Sequence, residues 1–174
     1  MTRTLEEALL GSVAPPEILN LQVLVPVPFV DFSGREREGH LVVHRDVGDE
    51  LRAIFEEIAR ARFPIDKIVP VAAYGWSDDA SMEDNNSSAF NFREIVGGGR
   101  LSRHALGLAI DINPLQNPYV KDDITLPRAG VYDKANEGTI VDGDIVVRAF
   151  LSRGWQWGGH WKSPHDPQHF EKTL

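Results

Sequence analysis

The chain has no cysteine. That absence removes disulfide frameworks, thiolate zinc clusters and cysteine nucleophiles, so any metal must be held by histidine and carboxylate. No apolar run approaches the roughly 20 residues needed to span a bilayer. The first residues, Met1-Thr2-Arg3-Thr4-Leu5-Glu6-Glu7, lack the basic-then-apolar layout of a signal peptide. If the protein works outside the cytoplasm, an export route supplied by something else is expected, phage lysis being one. No basic cluster interrupts a formal charge of −8, which argues against a nucleic-acid or anionic-membrane partner. No internal repeat or linker marks a second domain, and 174 residues suffice for one sizeable core. Six histidines remain as candidate ligands.

Apolar spacing predicts a short helix over residues 5–10, ended by Gly11 and Pro15-Pro16. The run Leu21-Gln22-Val23-Leu24-Val25-Pro26-Val27-Pro28-Phe29-Val30 reads as a strand, and its two prolines confine it to a sheet edge or extended arm. Residues 32–39 read as a polar turn and residues 40–44 as a short strand, with His40 and His44 at its surface or edge. The clearest helix covers about residues 47–62. Asp46 can cap it, Asp49 and Glu50 lie in its first turn, and Val47, Leu51, Ile54, Phe55 and Ile58 form an apolar stripe. A strand over residues 65–74 then leads into a polar segment, residues 75–93, anchored by Trp76, Met82, Phe90 and Phe92. Polar loops pinned by aromatics tend to shape pockets. Gly97-Gly98-Gly99 reads as a hinge. A proline- and charge-containing excursion runs from Asn113-Pro114 to about Gly138. Asp142 is the expected cap of a second helix over residues 143–152, which buries Ile145, Val146, Ala149 and Phe150. Trp155, Trp157 and Trp161 read as core and cleft wall.

The chemistry concentrates in Ser102-Arg103-His104-Ala105-Leu106-Gly107-Leu108-Ala109-Ile110-Asp111. A carboxylate inside an apolar strand is costly unless something positive pairs with it, and the strand offers no lysine or arginine of its own. Residues two apart share a strand face, so Gly107, Ala109 and Asp111 point one way and Leu108, Ile110 and Ile112 point into the core. On this reading the small residues clear space in front of Asp111, and His104 folds back over it. A metal held by His104 and Asp111 would offset the buried charge. The alternative is that His104 caps a turn and Asp111 pairs with a distant arginine. His160, His165 and His169 compete for a third ligand position. His169 is preferred, because Phe170 can anchor its backbone and Asp166 lies three residues earlier, facing the same cavity. His165 is expected to point away and be exposed. Two histidines and one aspartate leave a tetrahedral position open, the pattern of a catalytic zinc, with Asp166 able to act as base. Arg93, at the end of the pinned loop, can hold an oxyanion or a terminal carboxylate, oriented by Asp78 or Asp79; otherwise it is structural. Ser102 is expected to hydrogen-bond locally or to a ligand residue.

Ser102-x-His104-x-x-Gly107-x-Ala109-x-Asp111, followed by Asp166-x-x-His169, resembles the two-part signature of the zinc D-alanyl-D-alanine peptidases. That family includes D-alanyl-D-alanine carboxypeptidases, vancomycin-resistance dipeptidases and L-alanyl-D-glutamate phage endolysins. The segments 85–93, 111–119 and 155–161 resemble its carboxypeptidase-like branch, and the likeness runs from about residue 29 to residue 171. The resemblance implies a single α+β domain, an antiparallel sheet with helices packed on one side (the hedgehog-like fold). It places a catalytic domain at residues 29–174 and an N-terminal extension, residues 1–28, packed on it. It implies one zinc ion per chain held by His104, Asp111 and His169. Asp166 matches the catalytic carboxylate, which many members carry as glutamate and some endolysins as aspartate, and Arg93 matches the substrate-facing arginine. Ser102, Asn86, Ser88, Asp79 and His160 are expected to bind substrate. The implied reaction is hydrolysis of peptidoglycan stem peptides, either release of terminal D-alanine or cleavage between L-alanine and D-glutamate. A zinc-binding module without catalysis is the alternative of another class, and retention of Asp166 argues against it.

Overall fold

The computed structural model describes residues 4–95 and 97–174; the first three residues of the expected N-terminal extension lie outside the described residues. The longest strands form a hairpin. β1 (Gln22–Val30) pairs antiparallel with β2 (Glu36–His44) over its whole length, Gln22 opposite His44 and Val30 opposite Glu36. Pro26 and Pro28 are two residues apart, so both missing N–H groups fall on one edge, the edge away from β2. The polar turn is shorter than the sequence predicts. Asp31 accepts hydrogen bonds from the backbone N–H of Ser33 (2.9 Å) and Arg35 (3.0 Å) and pairs with Arg35 and Arg37. With the reversal closed by residue 35, the charged residues 36–38 join β2 as its exposed end.

α3 (Gly48–Arg60) lies across this hairpin and buries Leu51, Ile54, Phe55 and Ile58 against Val25, Val27, Leu41 and Val43. Its entry is a 3₁₀ turn, and the capping acceptor is the His44 ring, at 3.2 Å from the Asp46 N–H, where the sequence pointed to Asp46. α5 (Ile145–Leu151) packs beside α3 and is capped by Asp144, whose Oδ1 accepts from the Val147 N–H at 2.9 Å; Asp142 is not the cap. β5 (Ala109–Asp111), β8 (Gln156–Trp157) and β9 (His169–Glu171) form an antiparallel sheet in the order β5-β9-β8. Phe170 of β9 is fully buried and stacks on Phe150 of α5, ring centroids 4.2 Å apart, which joins the sheet to the helical core.

The fold is α+β, yet its strands form several small sheets where one antiparallel sheet was expected. The strand predicted over residues 65–74 shrinks to β3 (Lys67–Ile68), because the Asn86 side chain takes both the N–H and the C=O of Val69, at 2.9 and 2.8 Å. β3 pairs in parallel with β4 (Asn86–Ser87). The polar segment before β4 contains a short helix, α4 (Asp78–Glu83), capped by Ser77. The excursion after residue 113 carries its own hairpin, β6 (Tyr119–Lys121) with β7 (Ile124–Leu126). At the N-terminus Ala8 of α1 (Leu5–Leu9) and Ala14, just before α2 (Pro16–Leu19), pack with Val42 and Phe90 in a second buried cluster. The boundary expected at residue 28 falls inside β1. Among the described residues no helix is long and apolar enough to cross a membrane.

Two asparagines lock the excursion to the core. Asn113, at φ +48°, donates to the carbonyls of Pro64 and Gly138 and accepts from the Asp66 N–H. Fully buried Asn117 donates to the carbonyls of Ile112, Asn113 and Gly138 and accepts from the Ile140 N–H at 2.7 Å. Truncating Asn117 leaves buried backbone groups unpaired, at about 1–3 kcal/mol for each one orphaned. Asn117→Ala is therefore expected to lower unfolding free energy by about 3 kcal/mol in urea titrations; a loss below about 1 kcal/mol would show that solvent replaces the network.

Candidate metal centre

His104 stands in a 3₁₀ turn (Arg103–Leu106) capped by Ser102, whose hydroxyl accepts from the His104 N–H at 3.2 Å. Gly107 closes this turn at φ +69°, and a Cβ there would collide with Gln22 and with the His44 backbone nitrogen. Its carbonyl accepts from the His44 N–H at 2.9 Å. Gly107 thus lets the turn dock on the β1–β2 hairpin and lies before β5, so it does not clear space in front of Asp111 as the strand alternation predicted. The docked turn buries the His104 ring, 2 % exposed, and Nδ1–H donates to the Ala89 carbonyl at 2.6 Å. A carbonyl can only accept, so Nε2 is the ring nitrogen left facing Asp111 and free to ligate.

Asp111 and His169 are directly opposed in the β5–β9 ladder and so share one face. His169 Nδ1 lies 2.9 Å from Asp111 Oδ1, and His169 Nε2 lies 3.1 Å from Glu171 Oε2. Glu171 holds the Nε2 proton, as outer-shell carboxylates do for metal-ligating histidines, so loss of the Nδ1 proton shared with Asp111 would free Nδ1 to ligate. The sequence reading missed Glu171, although residues two apart on a strand share a face and the signal was present at His169 and Glu171.

Three candidate ligand atoms therefore converge: His104 Nε2 is 3.2 Å from Asp111 Oδ2 and 3.2 Å from His169 Nδ1. These three residues form a group able to hold a metal ion. Ligand atoms about 2.0–2.1 Å from a tetrahedral ion lie about 3.3 Å from one another, so the donor set fits one with little adjustment. Burial opposes charge on Asp111, but the facing His104 and His169 rings hold its carboxyl well below the usual range. Burial also lowers His169, yet Asp111 and Glu171 overrule it and lift the ring to about 10. The cluster attracts positive charge, a proton or a cation.

This cluster opens into a cavity of about 590 Å³ lined also by Arg93, Ser102, Tyr119, Lys121, Trp161 and Asp166. Asp166 is held by its backbone, its N–H donating to the Gly158 carbonyl and its carbonyl accepting from the His169 N–H, both at 3.1 Å. Its Oδ1 is buried without a hydrogen-bond partner among the described residues. Burial pushes the Asp166 carboxyl up to about 7; His169 opposes this and the Asp111 charge reinforces it. Arg93 is fixed by Asp78, Nη2 to Oδ2 at 3.0 Å, and Asn91 donates to the other oxygen of that carboxylate at 3.1 Å. Behind them Trp76 packs edge-on against Phe90 and donates its indole N–H to the Leu10 carbonyl, tying the loop to α1.

Several expected substrate contacts lie elsewhere. Asp79 is exposed, and Asp78 takes the place beside Arg93. Asn86 is spent on Val69 and Ser81, and Ser88 bridges to Asp111 through its backbone. His160 is about half exposed and pairs with Asp142, outside the cavity. His165 is half-buried against Tyr132, where exposure was expected, and is remote from the ligand cluster.

Because a proton occupies the metal-free cluster, a metal must displace it. At pH 8, below the raised value for His169, loading with zinc is expected to release about one proton, read by calorimetry in buffers of different ionisation enthalpy. Affinity should rise with pH across the neutral range. Uptake of zinc without proton release would mean that the ring is already neutral. His104→Ala should abolish stoichiometric binding in equilibrium dialysis, and Glu171→Ala should weaken it about 10- to 100-fold.

Neither a curated protein nor a solved structure matches the chain. Residues 96–172 match the family model described as D-alanyl-D-alanine carboxypeptidase. The matched segment holds all three candidate ligands together with Asp166 and Glu171. That segment, which builds the cluster from a turn, a strand and its antiparallel neighbour, is similar to the D-alanyl-D-alanine carboxypeptidase family of peptidases.

Proposed function

We propose that the protein is a zinc-dependent peptidase that hydrolyses an amide bond in peptidoglycan stem peptides, releasing terminal D-alanine, and that it works in the cell wall or periplasm. The observation that supports this reading is the placement of three converging candidate ligand atoms and the buried Oδ1 of Asp166 on one cavity. A bound zinc ion supplies Lewis acidity and lowers the pKa of water to about 7. Asp166 takes the proton from the attacking water and returns it to the leaving nitrogen. The water oxygen joins the carbonyl carbon, the C–N bond breaks, and the amine leaves carrying that proton. A carboxyl raised by burial to about 7 is suited to both halves of this transfer.

Arg93 supplies a fixed positive charge in the same cavity. Asp78 holds one of its terminal nitrogens, and its buried Nε has no partner among the described residues. That arrangement suits a carboxylate-terminated substrate, which favours removal of the last residue of a stem peptide.

Digestion of purified muropeptides by the zinc-loaded protein, read by product mass, tests the reading. Loss of one alanine residue is the expected result. Cleavage between L-alanine and D-glutamate would instead assign an endopeptidase, and intact muropeptides with zinc bound would assign a metal-binding module. Asp166→Asn is expected to lower turnover by about 10²–10⁴-fold while zinc stays bound; undiminished turnover would remove Asp166 from the reaction.

A further inference from the structure

The hairpin of β6 and β7 supplies a group that the reading so far leaves unused. Val120 forms a two-bond antiparallel bridge with His165, its N–H donating to the His165 carbonyl at 2.8 Å and its carbonyl accepting from the His165 N–H at 2.9 Å. Pairing of 120 with 165 brings 119 opposite 166, because antiparallel neighbours step in opposite directions. Residues so opposed have Cβ atoms about 4.5–5.5 Å apart on one face of the sheet. The same face continues into β7, where Tyr119 is paired with Leu126. The lining of the cavity agrees with this register: Tyr119, Lys121, Leu126, Pro164 and Asp166 all contribute to it, while His165 turns to the other side and packs on Tyr132.

Tyr119 is thus fixed beside Asp166. Tyr119 is 9 % exposed, and no hydrogen bond joins its hydroxyl to the protein among the described residues. The hydroxyl is not among the sealed side-chain atoms that lack a partner, so it opens on the cavity that Tyr119 lines. Burial, with the nearby charges of Asp166 and Asp122, raises the phenol, so it remains a donor across the neutral range.

We propose that Tyr119 is a catalytic residue whose hydroxyl donates a hydrogen bond to the carbonyl oxygen of the scissile amide as that oxygen gains charge. This rests on the peptidase reading and extends it. Tyr119 keeps its proton throughout, so the transfer between water, Asp166 and the leaving nitrogen is unaltered. A preorganised donor in a closed site acts mainly on the transition state, and its removal costs turnover more than ground-state binding.

Tyr119→Phe removes one oxygen atom and keeps the ring that packs in the cavity wall. The expected result on the muropeptide that wild type cleaves is a fall in kcat of about 10²-fold with KM changed less than about 3-fold. Zinc stoichiometry and Tm should match wild type. A phosphinate analogue of the scissile dipeptide should lose affinity by the same factor as kcat/KM, which a merely structural role would not produce. A variant within twofold of wild type in kcat, or one that changes KM alone, overturns the role of Tyr119 and leaves the peptidase reading standing. A wild-type protein that cleaves no stem peptide overturns both.

Discussion

Asp111 sits directly across from His169 in the pairing of β5 with β9, and the rest of the site depends on that register. The side-chain period of a strand is two, so a slip of one residue would turn His169 away from Asp111 and into the core. Phe170 guards against the slip. Its ring fills the core between Phe150 and Trp157, and it could not be exchanged with a polar neighbour without opening a cavity. Packing energy in the helical layer is thereby converted into the position of two candidate ligand side chains.

The other members are brought in from separate parts of the chain by short-range devices. Gly107 lets the His104 turn press against the first hairpin, and the Ala89 carbonyl then selects the free ring nitrogen. Glu171 performs the same selection for His169. The excursion after residue 113 is folded back by Asn113 and Asn117, and its hairpin is stitched to the segment that bears Asp166. The loop carrying Arg93 is braced from behind by Trp76 and α1, so the described N-terminal residues support one wall of the cavity without lining it.

What the sequence made legible was local chemistry. A carboxylate in an apolar strand at 111, with a histidine seven residues before it and an aspartate–histidine pair near the C-terminus, announces itself by cost alone, since buried charge requires a partner. The stripe of Leu51, Ile54, Phe55 and Ile58 was equally plain from its period. Less legible were the features set by tertiary contact. The strand at 65–74 was cut short by Asn86, whose side chain mimics a neighbouring backbone. Caps at His44 and Asp144 displaced the nearer candidates Asp46 and Asp142 because helix entry depends on the angle at which the chain arrives. His160 carried the same residue type as the ligands but faces Asp142 at the surface. Tyr119 could not be placed beside Asp166 until the 120–165 pairing was known, for nothing in either segment encodes the other's register.

The central claim is that His104, Asp111 and His169 act together as one ligand set. X-ray absorption at the zinc edge of the loaded protein tests it most directly. The account predicts a four-coordinate nitrogen and oxygen shell at about 2.0–2.1 Å with the outer scattering of two imidazoles. A shell of oxygen alone, or the scattering of a single imidazole, would contradict it.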